Sequence, residues 1–346
     1  MPPVTSAQLL ADPIRCYPAT TVACFDPTTG ALPRRELDEA RNKVFLERLA
    51  TAGADALLIA ASTGHGHLRT VDELVNWFRA AAEADIGETV LMALLRPEDG
   101  PEANGRLLDH LTELKYAVVF VRPGTNLPSD ATDCQIADNV QPVVEQAVAR
   151  GLAVGVYSIP DVSGVVLSAD ATATLLEMPG GDHIVAAKIT EADYDSSTRT
   201  YLDHPALVGL KIVQGWDPHL AQALRDGGER CGVTSGPMSL AVHQYSHIFA
   251  AAAAGDWDEV SQAQAAVTTL FVSMQDDPTK FADLQRAKVI MGLGQPLTGE
   301  VTDSQVERVL AALEALPRAD DRRRLAQSLD LLGDGPYHVR LAALCE

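Results

Sequence analysis

Eight short apolar runs, separated by longer amphipathic segments, dominate the first 255 residues of the chain. Most of these runs are continuous rather than alternating, which is typical of parallel strands that are buried on both faces. The pattern therefore predicts eight parallel strands joined by helices. The runs occupy 20–25, 56–62, 89–95, 117–121, 153–159, 184–189, 206–213 and 231–235.

The segments between the runs have helical spacing. In 36–52 and in 135–150, apolar residues recur every three or four positions, so they share one face of a helix. Thr70 followed by Glu73 has the spacing of a capping box, which predicts the start of another helix. Several helical runs are followed by a glycine that suits a left-handed C-terminal cap, namely Gly53, Gly151 and Gly227.

The strand–helix alternation extends from about residue 20 to about residue 253, which is about the length expected of a (β/α)8 TIM barrel. A doubly wound open sheet would show the same alternation, so the pattern favours the barrel without excluding the sheet. Beyond residue 256 the remaining pattern is helical. The sequence predicts an α/β fold with three parts: an N-terminal extension (1–17), a barrel (18–255) and a C-terminal helical subdomain with a tail (256–346).

Composition narrows the class of protein. Of the 346 residues 47% are hydrophobic, which argues against a disordered chain. The 47 acidic and 27 basic residues give a formal charge of −20, which argues against nucleic acid or an anionic membrane as a partner. We see neither a membrane-spanning apolar stretch nor a secretory signal in the first residues. Scattered cysteines without a CxxC pair predict a reduced, cytoplasmic protein: Cys16, Cys24, Cys134, Cys231 and Cys345.

Two lysines within apolar runs are the main chemical candidates. Burial lowers the pKa of a lysine, and the neutral amine of Lys188 could then form a Schiff base with a carbonyl. Lys211 has a similar setting, and either lysine could instead pair with a carboxylate or extend to solvent. Tyr157 ends the fifth run and could move protons, or it could simply lie at the edge of the core.

A Ser-Thr-Gly turn follows the second run. Ser62, Thr63 and Gly64 offer hydroxyls and backbone N–H groups that could hold a carboxylate, although an ordinary strand-to-helix turn has the same residues. His65 and His67 stand two positions apart in the same loop. This spacing is weak support for a metal, because no third ligand stands at a suitable distance, and we expect no metal site.

The order of these motifs resembles the dihydrodipicolinate synthase / N-acetylneuraminate lyase family. The resemblance is carried by the Ser-Thr-Gly turn, the stretch YSIPDVSG (157–164) and Lys188, and it extends from about Pro18 to about Leu316. Members of this family are class I aldolases that form a Schiff base within a (β/α)8 barrel followed by helices. The resemblance therefore implies the barrel rather than the open sheet.

The resemblance also implies roles for particular residues. Lys188 would form the Schiff base with no metal or organic cofactor, and Tyr157 would relay protons. Ser62 and Thr63 would hold the carboxylate of a 2-oxo acid, usually pyruvate, and Lys211 would be structural or on the surface. The remaining candidate contacts to substrate are Gly64, His65, Gly215, Asp217 and Thr234.

The chain departs from the family pattern at several positions. Ala61 replaces a glycine, His65 replaces a glutamate, and Val162 replaces the arginine of the synthase branch. The second tyrosine of that branch, near the end of the fourth strand, has no match in this chain, and Arg122 stands in that stretch without being its equivalent. We therefore expect a cytoplasmic, homo-oligomeric (tetrameric or dimeric) lyase acting on a 2-oxo acid and an aldehyde, rather than dihydrodipicolinate synthase itself. Two alternatives stay open: a sugar-acid dehydratase using the same imine, and an inactive barrel that binds or regulates.

Overall fold

The computed structural model describes residues 4–12, 19–21, 36–275, 282–294 and 300–345. Each strand pairs in parallel with the next one along the chain, and the last pairs with the first, so the sheet is a closed barrel. This closure excludes the open sheet and confirms the predicted (β/α)8 barrel. The strands are β1 (Ala19–Thr21), β2 (Ala56–Ile59), β3 (Val90–Leu95), β4 (Val118–Val121), β5 (Ala153–Ser158), β6 (Ile184–Ile189), β7 (Lys211–Gln214) and β8 (Cys231–Ser235).

The strands follow the apolar runs to within one residue except at three of them. The run 56–62 extends past the end of β2 at Ile59, and Ser62 already begins a 3-10 helix. The run 206–213 predicts too early a start for β7, because Pro205–Leu207 forms a 3-10 turn and the strand begins at Lys211. The run 20–25 is described only as far as Thr21. The rest of that run, together with Cys16 and Cys24, lies outside the described residues.

Helices on the outside of the barrel connect the strands, a short helix precedes β1, and two helices follow β8. They are α1 (Ser6–Ala11), α2 (Glu39–Thr51), α3 (Val71–Ala82), α4 (Pro101–Glu113), α5 (Asp133–Val148), α6 (Pro160–Ser163), α7 (Ala169–Glu177), α8 (Thr198–Asp203), α9 (Leu220–Gly227), α10 (Gly236–Leu240) and α11 (Val242–Ala253).

The helix ends mostly match their sequence signals. The predicted capping box of α3 is confirmed, since Thr70 Oγ1 accepts a hydrogen bond from the Glu73 amide and the Glu73 carboxylate accepts one from the Thr70 amide. Gly53 and Gly151 have φ angles of +107° and +72°, as expected of left-handed caps. The expectation for Gly227 is wrong: its φ is −110°, because α9 continues through it and the next residue, Gly228, turns the chain instead.

Helix α1 covers the amino end of the barrel. Leu9 is buried in the same apolar cluster as Met92 and Phe120, whose side chains fill the barrel interior. Ser6 Oγ donates a hydrogen bond to the backbone oxygen of Ala117, one residue before β4 begins (2.7 Å). This end of the barrel is therefore filled, and the carboxyl ends of the strands at the opposite end are left to form a site.

A set of helices follows the barrel. The side chain of Gln244 on α11 donates a hydrogen bond to Asp321 (2.8 Å) and thereby links this set to the barrel. Within the described residues, no helix combines the length and the apolar character needed to span a bilayer. The helices are α12 (Trp257–Val272), α13 (Ala282–Ile290), α14 (Asp303–Glu314), α15 (Ala319–Leu329) and α16 (His338–Ala342).

Candidate active site

A cavity of about 390 Å³ lies at the carboxyl ends of the strands. In barrels of this kind, the loops after the strands form the active site at this end. Helix α12 closes one side of the cavity. The chemically important residues that line it are Thr63, Tyr157, Lys188, Thr190, Gly215 and Asp217.

Lys188 lies on β6, directly opposite Tyr157 on β5 in the strand register. Its Nζ atom is 4.0 Å from the centroid of the tyrosine ring, and the residue is only 3% exposed. Burial lowers the pKa of Lys188 to about 7, although the nearby carboxylate of Asp217 acts in the opposite direction. A large fraction of the amine is therefore neutral, and hence nucleophilic, near pH 7.

The structure separates the two candidate lysines. Lys211 is fully buried, and its Nζ atom donates hydrogen bonds to the backbone oxygens of Glu229 and Cys231, each at 2.9 Å. Both acceptors lie where β8 begins, at the amino end of the barrel. Of the two lysines, Lys188 lines the cavity and Lys211 does not.

The hydroxyl of Tyr157 has a partner that the sequence reasoning missed. Thr190 Oγ1 donates a hydrogen bond to it (3.2 Å), and both residues line the cavity. Burial raises the pKa of Tyr157 well above its usual value, so the phenol keeps its proton at neutral pH. Thr190 stands two positions after Lys188, and residues i and i+2 share one face of a strand. That spacing could have identified Thr190.

Gly215 gives these side chains the space that they occupy. A Cβ atom at this position would lie 2.0 Å from Thr190 Oγ1 and 3.0 Å from Lys188 Cε. Any larger residue would displace the threonine or the lysine. The glycine is therefore a steric requirement of the site.

Asp217 is a half-buried carboxylate in the wall of the cavity. Ser235 Oγ (2.6 Å) and the hydroxyl of Tyr245 both donate hydrogen bonds to its Oδ1 atom. Burial raises the pKa of Asp217 to about 6, while these hydrogen bonds and the charge of Lys188 lower it. The sequence reasoning missed both donors. Tyr245 lies on α11, 28 residues from Asp217, so no local motif links the two.

The Ser-Thr-Gly turn forms a short 3-10 helix over Ser62–Gly64. Thr63 reaches the cavity, whereas Ser62 and Gly64 are buried and do not line it. The Ser62 Oγ atom is buried without a hydrogen-bond partner among the described residues. Leaving a buried hydroxyl unpaired costs about 1–3 kcal/mol, so this atom would gain from a bound acceptor.

His65 and His67 are neutral side chains next to this turn. Burial lowers the pKa of His65 to about 3, with a further contribution from the charge of Lys288, and burial lowers that of His67 to about 4. The two rings meet edge to face, with centroids 6.0 Å apart. His65 itself has a φ of +58° and does not line the cavity.

Thr234, the remaining candidate, is buried on β8 and does not line the cavity. Its Oγ1 atom has no hydrogen-bond partner among the described residues. Within the part of the chain that the structure describes, no group of three or more histidine, cysteine, aspartate or glutamate residues could hold a metal ion. The structure thus brings five of the nine candidate residues to one cavity: Thr63, Tyr157, Lys188, Gly215 and Asp217.

Comparison with known proteins identifies the family. The model of the dihydrodipicolinate synthetase family matches residues 111–315, which is more than half of the chain. The chain belongs to this family. The match confirms the resemblance inferred from the sequence motifs.

N-acetylneuraminate lyases are among the curated relatives of this chain. The lyase of Escherichia coli (strain SMS-3-5) is 27% identical over 196 residues, and that of Shigella boydii serotype 4 is 26% identical over the same length. Each alignment covers 57% of this chain but only 62% of the relative. The chain therefore matches less than two thirds of the length of these lyases.

Several solved structures have the same fold as this chain. YagE, a prophage protein of E. coli K12 in complex with pyruvate, superposes with a TM-score of 0.75 at 16% identity, covering 87% of this chain and 98% of YagE. The sialic acid aldolase of Ruminococcus gnavus superposes with a TM-score of 0.74 at 14% identity, covering 92% and 98% of the two chains. At these identities the comparison establishes the barrel with its C-terminal helices.

Proposed function

We propose that this protein is a class I lyase that forms a Schiff base between Lys188 and a 2-oxo acid, with pyruvate as the first candidate. The observation that carries this proposal is the position of Lys188: a buried amine with a pKa of about 7, in a cavity, 4.0 Å from the ring of Tyr157. Membership of the dihydrodipicolinate synthetase family supports it. The names of the relatives, which are lyases and aldolases, support the same chemistry.

The chemistry follows from the amine. The neutral Nζ of Lys188 attacks the ketone carbon of the 2-oxo acid, and loss of water leaves a protonated imine. This imine is an electron sink, so a proton or an aldehyde can leave carbon 3 and an enamine forms. In the synthetic direction the enamine attacks the carbonyl carbon of an aldehyde. Water then hydrolyses the imine and releases a 4-hydroxy-2-oxo acid, so the atoms balance without an oxidant or reductant.

Tyr157 is the proposed proton carrier of this reaction. Its phenol keeps its proton at neutral pH, and Thr190 holds the hydroxyl by a hydrogen bond. A phenol fixed in this way can give a proton to a developing alkoxide and take it back in the reverse direction. Tyr157 and Thr190 therefore act as one unit.

We assign the carboxylate of the 2-oxo acid to the turn over Ser62–Gly64. The cavity-lining side chain of Thr63 supports this assignment. The Ser62 hydroxyl does not line the cavity, but it belongs to the same turn and has no hydrogen-bond partner among the described residues. The chain carries a net charge of −20, so an anion must be held by local donors and by the positive imine. The acidic surface does not prevent this, because solvent and salt screen exposed charges.

Reductive trapping tests the proposed function. Pyruvate and sodium cyanoborohydride should give one reduced adduct per chain, and peptide mass mapping should place it on Lys188. Lys188→Ala should abolish trapping. Lys211→Ala should keep it, and the mass map assigns the modified lysine even if that variant folds poorly. No adduct on Lys188 with pyruvate or with a panel of 2-oxo acids would overturn the proposal, and it would favour an inactive, ligand-binding barrel.

The cofactor, assembly and location complete the proposal. We propose that catalysis needs no metal or organic cofactor, so treatment with EDTA should change neither trapping nor turnover. The family resemblance supports a homo-oligomer in the cytoplasm. Light scattering during gel filtration distinguishes a tetramer or a dimer from a monomer.

A further inference from the structure

The outer wall of the cavity is apolar. Val267 and Phe271, four residues apart on α12, share the face that lines it, and Trp216 and Leu284 line it from other elements. Val272, at the end of the same helix, also lines the cavity and is 59% exposed. An exposed valine in a cavity wall gains free energy when an apolar group covers it.

The charges in the described lining argue in the same direction. Among the described lining residues, the one basic residue is Lys188, which is assigned to the imine. Asp161 adds a negative charge to the lining. A second substrate with its own carboxylate or phosphate would therefore meet repulsion, and no cation of the described lining other than Lys188 would offset it. A polyhydroxylated substrate would need a partner for each hydroxyl. On the outer wall, α12 with the residues after it offers only Thr268 and Gln275 among the described lining residues, whereas the other polar lining residues lie at or just after the strand ends.

We propose that the second substrate is an apolar aldehyde, with an aliphatic or aromatic substituent that packs against Trp216, Phe271 and Val272. This inference rests on the proposed Schiff base at Lys188. The enamine carbon attacks the carbonyl carbon of the aldehyde, the new alkoxide takes a proton, and the product is a 4-hydroxy-2-oxo acid with an apolar end. The reverse reaction releases the aldehyde and pyruvate, and neither direction needs a further reactant.

A matched panel of aldehydes tests this specificity. With pyruvate as the donor, product formation is measured by mass spectrometry for benzaldehyde, hexanal, glyceraldehyde and glyoxylate. We expect kcat/KM for benzaldehyde or hexanal to exceed that for the other two by about tenfold or more. Preference for glyceraldehyde or glyoxylate, or no product from either apolar aldehyde, would overturn the inference. When pyruvate still traps Lys188, the proposed function survives these results, whereas loss of trapping overturns the proposed function itself.

Variants of exposed valines locate the effect. Val272→Asp should lower kcat/KM for benzaldehyde by about tenfold and lower the rate of pyruvate trapping by much less, because it alters the outer wall and not the groups that surround Lys188. Val208→Asp is the control, since Val208 is 61% exposed and lies just before β7 at the opposite end of the barrel. Equal effects of the two substitutions would overturn the assignment of the wall.

Discussion

At the scale of single residues, burial gives Lys188 the chemistry that the proposed mechanism needs. An exposed lysine is almost fully protonated at pH 7, whereas burial lowers the pKa of Lys188 to about 7. The pKa of Tyr157 shifts in the opposite direction for the same reason, because burial disfavours the charged form of the phenol and so raises its pKa. The same physical cause thus suits both side chains to the roles proposed for them, nucleophile and proton donor.

The pKa of Lys188 predicts the pH dependence of imine formation. Below pH 7 the amine is increasingly protonated, so the rate of trapping with pyruvate and cyanoborohydride should fall by about tenfold per pH unit well below this value. Above about pH 8 the rate should reach a plateau. Rates measured from pH 5 to 10 check this, and an inflection near 10 would contradict a buried amine.

Asp217 predicts a shift of that inflection. Its negative charge raises the pKa of Lys188, so Asp217→Asn should move the inflection to lower pH. Asp226→Asn is a matched control, because Asp226 also accepts a hydrogen bond from a tyrosine, Tyr194 (2.8 Å), but does not line the cavity. An unchanged inflection in Asp217→Asn, or an equal shift in both variants, would show that Asp217 does not act on the lysine.

The sequence identified some of these residues and missed others. Lys188 and Tyr157 stand in apolar runs and in a recognisable motif order, so they were found. Thr190 was missed although its spacing from Lys188 marks it. Tyr245 carries no local signal, because its contact with Asp217 depends on how α11 folds back over the barrel.

At the scale of elements, the ends of adjacent parallel strands place the reactive groups together. Register pairs Tyr157 of β5 with Lys188 of β6, and Lys188 with Val213 of β7. Gly215 follows β7 and lies beside the lysine because of this register. Continuous apolar runs predicted the strands well, since burial on both faces leaves a local pattern that needs no knowledge of the fold.

The close approach at Gly215 predicts the effect of one methyl group. Gly215→Ala should place a Cβ atom against Thr190 and Lys188, and we expect pyruvate trapping to fall by about tenfold or more while circular dichroism still reports a folded barrel. Gly209→Ala is the control, because a Cβ atom there has no neighbour within 4 Å. Equal trapping by both variants would contradict the steric argument.

At the scale of the whole molecule, a buried polar network attaches the C-terminal helices to the barrel. Asp321 on α15 is 2% exposed and accepts hydrogen bonds from Gln244 (2.8 Å) on α11 and Arg324 (2.7 Å). Helix α11 also carries Tyr245, which donates to Asp217 in the cavity. The C-terminal helices therefore support the side of the barrel that holds the proposed site.

This network predicts a difference between two neighbouring aspartates. Asp321→Ala removes the buried carboxylate that accepts hydrogen bonds from Gln244 and Arg324, so we expect the free energy of unfolding to fall by about 1–3 kcal/mol. Asp320→Ala removes only an exposed ion pair with Arg323 and should cost less than about 1 kcal/mol. Urea denaturation of both variants measures the difference, and similar losses would contradict the structural role of the buried carboxylate.

The limits of sequence reasoning are clearest at this scale. The strand positions, the start of α3 and the family were accessible from the chain alone, because periodicity, capping residues and motif order are local properties. The hydrogen bonds of Lys211, the partners of Asp217 and the apolar wall on α12 required the folded molecule. Burial and the resulting pKa values depend on which distant segments pack around a side chain, and no local pattern contains that information.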